Sequence, residues 1–146
     1  MRDLPGQLTV DELAELFEGR TRLVELLAGR EDPLGAAREV ACTLSDAEKQ
    51  EVLDAHPAIG RRQGLSARSA REQGVDDDPE VIAALAELNR AYEERFGFRF
   101  VVFVNHRPKS EIVRILRERL GRTREQELAT ALDELVLIAE DRWYRG

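Results

Sequence analysis

Helix-start signals recur so regularly along this chain that they leave little room for a sheet. Thr9-Val10-Asp11-Glu12, Ser45-Asp46-Ala47-Glu48 and Thr123-Arg124-Glu125-Gln126 each read as a capping box. In that pattern the hydroxyl accepts from a free first-turn N–H, and the acid or amide three residues on reaches back to the cap N–H. Asp32-Pro33 and Asp78-Pro79 set an N-cap acid before a proline, whose missing N–H would be unpaired in the first turn anyway. Thr21 and Ser110 are further candidate caps. Apolar residues follow these starts at helical spacing, as in Leu13, Leu16 and Phe17, or Leu128, Leu132, Leu135 and Ile138. Gly19, Gly97 and Gly121 supply stops. Phe98 to Val104 is the one strand-like run, and a lone strand has nothing to pair with, so it reads as an extended buried segment. Pro57, Gly60, Gly64 and Gly74 break regularity over 57–78. The prediction is an all-α single domain over residues 1–146, a bundle of about seven to eight helices with one irregular and one extended segment.

Composition narrows the partners. An apolar fraction of 42% with 35% charged residues reads as soluble and globular, and 146 residues suffice to bury a real core. A net charge of -7 repels duplex nucleic acid and anionic membranes on average, so neither is expected as a partner, although a local basic patch could still hold a small anion. No apolar run approaches membrane-spanning length and no signal-peptide pattern is present, which makes the cytoplasm the expected compartment. Cys42 stands alone in a helix-like apolar run and is expected as a small buried core residue. Two histidines without HxxxH or HExxH spacing argue against a metal site, and Gly60 and Gly64 lack the Lys and Ser/Thr of a phosphate-cradling loop.

What the core does not explain lies where the helical periodicity lapses. His56 precedes Pro57, which pushes it out of helical geometry and puts it at the C-terminal end of the helix that starts at Asp46. A helix C-terminus favours cations, so the imidazolium is expected to be helped there, which suits a group that donates as well as accepts protons; a surface C-cap is the alternative. Ser69, Glu72 and Gln73 would share a face if the segment is helical, presenting hydroxyl, carboxylate and carboxamide together. Ser69-x-x-Glu72 is equally a capping box. Arg142, after the last apolar turn, reads either as dipole-compatible surface or as a planar fork for a carboxylate. Phe98 to Val104 reads as core, yet an unpaired extended run leaves N–H and C=O groups that a planar, amide-like ligand could satisfy. His106, in Asn105-His106-Arg107-Pro108, reads as solvated loop.

Taken in order, these fragments resemble the OHCU decarboxylase family (2-oxo-4-hydroxy-4-carboxy-5-ureidoimidazoline decarboxylase). They are Leu16-Phe17-Glu18, His56-Pro57-Ala58-Ile59-Gly60, Ser69-Ala70-Arg71-Glu72-Gln73-Gly74-Val75, Leu88-Asn89-x-x-Tyr92, Phe96-Gly97-Phe98-Arg99-Phe100-Val101 and Ile138-Ala139-Glu140-Asp141-Arg142. The resemblance implies an all-α, cofactor-free, commonly dimeric enzyme that converts OHCU to (S)-allantoin and carbon dioxide in urate degradation. It puts the acid/base histidine at His56, with Glu72 beside it in catalysis. Pro57, Ser69, Gln73, Arg142 and the backbone of Phe100, Val101 and Val102 become the substrate contacts. Arg99 stands where proline is common, and Trp143 where leucine usually follows the arginine. A non-enzymatic helical interaction module, or a related lyase or hydrolase of ureido or hydantoin compounds, are the alternatives.

Overall fold

The structure, a computed structural model, describes residues 7–57 and 78–145. Seven helices carry those residues: α1 Val10–Leu16, α2 Arg22–Leu27, α3 Pro33–Thr43, α4 Asp46–Asp54, α5 Pro79–Phe96, α6 Lys109–Leu120 and α7 Arg124–Arg145. No strand occurs among the described residues. The capping boxes form as the sequence predicts. Thr9 and Ser45 each accept from the backbone three residues on while Glu12 and Glu48 reach back, and Thr123 and Gln126 make the same reciprocal pair. Asp32 accepts from Gly35 N–H and Asp78 from Glu80 N–H, each ahead of its proline.

Two local expectations, at Ser110 and Cys42, need correction. α6 starts at Lys109 with Pro108 as its N-cap, so Ser110 lies inside the first turn and caps nothing. α2 starts after Thr21 as expected, although the Thr21 hydroxyl makes no cap bond and the N–H of Arg22 is taken by Glu51 Oε1 at 3.0 Å. Cys42 is exposed, because α3 turns Ala37, Val40 and Ala41 inward and its next position points out.

The long α7 contacts α1, α3 and α4, and α2 lies against α1, α3 and α4. The helix α5 pairs with α6. Leu13, Phe17, Leu23, Leu53, Leu85, Ile112, Leu116 and Leu135 are completely covered. At the end of α5, Gly97 takes a left-handed φ of 82°, a conformation a Cβ disfavours, and the chain leaves as the extended run Phe98–Val104. Phe98, Phe100, Val101, Val102 and Val104 are buried, as expected for core. The rings of Tyr92, Phe96, Phe98 and Phe100 pack at centroid separations of 4.6 to 6.1 Å in tilted and edge-on pairs.

Candidate active site

His56 follows the last turn of α4 and is buried, with 5% of its surface exposed, which removes the surface C-cap reading. Its N–H still closes on Leu53 O at 3.2 Å, and Nδ1 faces Val52 O at 3.4 Å. A carbonyl only accepts, so this contact assigns the proton to Nδ1 and the lone pair to Nε2. Nε2 is buried and has no hydrogen-bond partner among the described residues. Burial, then the positive field of Arg142, bring the imidazole pKa down from 6.5 to about 4; Glu18 and the Val52 contact pull the other way, and Arg99 adds a smaller lowering. The expectation that the helix terminus favours an imidazolium is therefore overturned: desolvation of the charged ring outweighs a terminal dipole effect of about 0.3–1 kcal/mol. His56 is a neutral imidazole at neutral pH.

Arg142 is 2% exposed, on an α7 that runs past it to Arg145, so it is no surface residue. Its Nη2 donates to Glu18 Oε1 at 2.8 Å, and its Nη1 donates to Leu16 O at 3.2 Å and to Glu15 O at 3.4 Å. The guanidinium thus closes the C-terminal end of α1. Glu18 holds φ at 64°, a left-handed conformation unusual for a residue with a Cβ. Its carboxylate reaches Arg142 and acts electrostatically on His56. Glu18, just past α1, His56, just past α4, and Arg142 on α7 are therefore brought together.

The extended segment passes the C-terminal end of α4. Arg99 N–H donates to Asp54 Oδ1 at 2.9 Å, and Arg99 Nη1 donates to His56 O at 2.7 Å and Asp54 O at 3.2 Å. Beyond it, Val101 O accepts from buried Arg119 Nη1 at 2.9 Å. The N–H and C=O groups of Phe100 and Val102 take no hydrogen bond from another described residue, although both residues are buried. Pro57 is half-buried beside His56. Trp143 packs partly buried on the core. His106 is exposed, as expected of a loop, and its Nε2 accepts from Arg145 Nη2 at 2.7 Å. Ser69, Glu72 and Gln73 lie outside the described residues.

The sequence alone assigns Glu18 no chemistry. Its signal is its place in Leu16-Phe17-Glu18, and its left-handed backbone leaves no mark in the sequence. Arg119 and Glu127 also escape a reading of the sequence, although both sit on the apolar register of their helices. No group of three or more His, Cys, Asp or Glu side chains placed to hold a metal occurs among the described residues. No helix among them is long and apolar enough to cross a membrane.

An all-α chain that buries a neutral imidazole beside a paired guanidinium has the parts of an acid–base site. Residues 2–144 match the OHCU decarboxylase family, and the chain belongs to it. A relative from Haloferax volcanii named 2-oxo-4-hydroxy-4-carboxy-5-ureidoimidazoline decarboxylase is 32% identical, over 91% of this chain and 85% of its own length. The protein of the same name from Halalkalicoccus jeotgali is 33% identical over 72% of this chain, and the match spans 64% of that relative. A uric acid degradation bifunctional protein of Bacillus subtilis is 30% identical over 97% of this chain and 31% of its own length. The crystal structure of an OHCU decarboxylase in the presence of (S)-allantoin shares the fold, with a TM-score of 0.76 and 23% identity over 90% of this chain and 94% of that one.

Proposed function

We propose that this chain is a carboxy-lyase that decarboxylates OHCU to (S)-allantoin in urate degradation, with His56 as its proton carrier. The single observation that carries the role of His56 is its geometry: a buried neutral ring, its Nδ1 turned to Val52 O and its Nε2 without a partner among the described residues.

The reaction needs little beyond positioning and proton transfer. The substrate carboxylate sits on a carbon next to a C=N group. As the carbon–carboxylate bond breaks, its electron pair forms a C=C bond and the C=N pair moves onto nitrogen, which takes a proton from water. The resulting hydroxy-enediamine becomes the keto product when its hydroxyl proton leaves and a proton adds to the ureido-bearing carbon. A neutral imidazole must accept before it can donate, so His56 Nε2 takes the hydroxyl proton and then returns it to carbon. Burial and Arg142 keep the imidazolium short-lived, which favours the return. Delivery from one face accounts for one enantiomer.

In this reading Arg142 supplies positive potential for the substrate carboxylate from a guanidinium that Glu18 already engages. The peptide groups of Phe100 and Val102, which bond no other described residue, take the planar ring with Val101 between them; Pro57 shapes the wall. Glu72 orients His56 or a substrate N–H, and Ser69 and Gln73 hold the ring and ureido group. The working form is a cytoplasmic homodimer of one-domain chains spanning 1–146, which sedimentation of the purified protein tests.

The deciding experiment generates OHCU freshly from urate and follows its decay by ultraviolet absorbance and product chirality by circular dichroism. Wild-type protein is expected to give (S)-allantoin rapidly, and folded His56→Ala to lose at least about 100-fold in kcat. Near-native kcat in His56→Ala would remove the histidine from the mechanism. Decay at the spontaneous rate with wild type, giving racemic product, would overturn the activity itself.

A further inference from the structure

Arg99 sits outside the groups assigned to the reaction, yet three of its hydrogen bonds end on Asp54 and His56. Its backbone N–H donates to the Asp54 carboxylate, and its guanidinium donates back to the carbonyls of Asp54 and His56, the latter at 2.7 Å. Glu93 Oε1 lies 3.3 Å from Arg99 Nε and holds the fork from α5. The two carbonyls belong to the C-terminal end of α4, whose last acceptors have no intrahelical donor and carry the negative end of the helix dipole. One nitrogen, Nη1, satisfies both through its two hydrogens, while Nε is turned to Glu93 and fixes the plane of the group. The side chain is 26% exposed, so these bonds are partly shielded from water.

We propose that Arg99 is a positioning residue that clamps the end of α4, bearing His56, to the extended segment, and so fixes the imidazole relative to the peptide groups of Phe100 and Val102. The proposal rests on the decarboxylase reading for its kinetic consequence, but the clamp itself does not. Residue 99 is covalently one step from Phe100, and its side chain ends on the carbonyl of His56. A proton donor and the ring it must reach are thereby held by one residue. Proton transfer tolerates misplacement poorly, so a loosened clamp lowers kcat more than it weakens binding. Arg99 also opposes the charged form of His56, together with Arg142 and against Glu18, so its removal moves the histidine titration upward.

The test compares wild type, Arg99→Lys and Arg99→Met on freshly generated OHCU across pH, and titrates the His56 imidazole by NMR in each. Arg99→Met is expected to lose about 10-fold or more in kcat with KM changed by less than about threefold, and Arg99→Lys to recover part of the loss by reaching one carbonyl. The His56 midpoint is expected to rise in Arg99→Met and to return toward wild type in Arg99→Lys. Folded Arg99→Met with kcat within about twofold of wild type and an unmoved His56 midpoint overturns the proposal. If Arg99→Met does not fold, Asp54→Ala, which removes the reciprocal bond, takes its place: a lowered kcat with a displaced midpoint supports the clamp, and neither change overturns it. If wild type does not accelerate OHCU decay, the decarboxylase reading fails and the NMR titration alone decides the clamp.

Discussion

Among the described residues, Arg119 and Arg142 are buried arginines that each hold a carboxylate, Glu127 and Glu18, and the two centres do different work. Around Glu127, which is completely covered, every donor points at one carboxylate: Arg119 Nε at 2.7 Å, Arg122 Nη1 at 2.9 Å and the Tyr92 hydroxyl at 2.6 Å. Burial and the Glu127 hydrogen bond push the Tyr92 hydroxyl well above its ordinary pKa, so it stays a donor. Arg119 also stacks 4.6 Å over the Phe100 ring and takes the carbonyl of Val101. Around Glu18, by contrast, the arginine closes a helix end, the carboxylate backbone is left-handed, and both charges act on His56. The first centre is a frame behind the extended segment. The second sets the electrostatic field at the imidazole. Equal chemistry at two places yields rigidity in one and a tuned proton affinity in the other, according to what lies next to the pair.

The comparison breaks most visibly at Glu127. Glu127→Ala leaves the Arg119 cation buried without its carboxylate, and a loss of about 3–5 kcal/mol is expected in urea unfolding. The same change is expected to leave the His56 titration in place; a stability cost below about 1 kcal/mol would dissolve the frame.

A pH series separates the two centres further. The folded-state pKa of His56, about 4, lies below the ordinary 6.5, so the unfolded chain binds the extra proton. The associated stability is complete above pH 6.5 and is lost as pH falls from 6.5 toward 4, by about 3 kcal/mol in all. Unfolding free energies of wild type and His56→Gln are expected to diverge through that window. Parallel curves would show that the ring is not held neutral.

The smallest effect belongs to Glu18. Glu18→Ala is expected to cost about 2 kcal/mol through the lost charge-assisted bond to Arg142. Because residue 18 is left-handed, Glu18→Gly is expected to recover about 1 kcal/mol of that loss while the ion pair stays broken. Both variants should lower the His56 midpoint, since Glu18 raises it. Equal stability of the Ala and Gly variants would remove backbone strain from the account.

What could be read from the sequence was what is decided within a few residues. Capping boxes involve neighbours along the chain, so Thr9, Ser45 and Thr123 were legible, as were Asp32-Pro33, Asp78-Pro79 and the stop at Gly97. Ser110 misled because a start at Pro108 and one at Ser110 look alike locally, and only packing chooses between them. Cys42 misled because its apolar neighbours blur which face of α3 turns inward. The position of His56 was legible from the proline that follows it. Its charge was not, because that depends on burial and on Arg142 at the far end of the chain. Arg119, three residues after Leu116, and Glu127, just before Leu128, sit on apolar registers; charged residues there are the mark of a buried network, and pairing them needed the fold.

Under the proposed function, the peptide groups of Phe100 and Val102, which bond no other described residue, carry one more implication. Every amino acid except proline offers the same N–H and C=O, so recognition through them is written without an alphabet. If the ring is held this way, selection at 100–102 acts on volume and β-branching, the qualities that seat the segment against Tyr92 and Arg119, and not on side-chain polarity aimed at a ligand. Two proteins could differ at all three positions and grip the same ring, while an identical tripeptide on a shifted backbone would not.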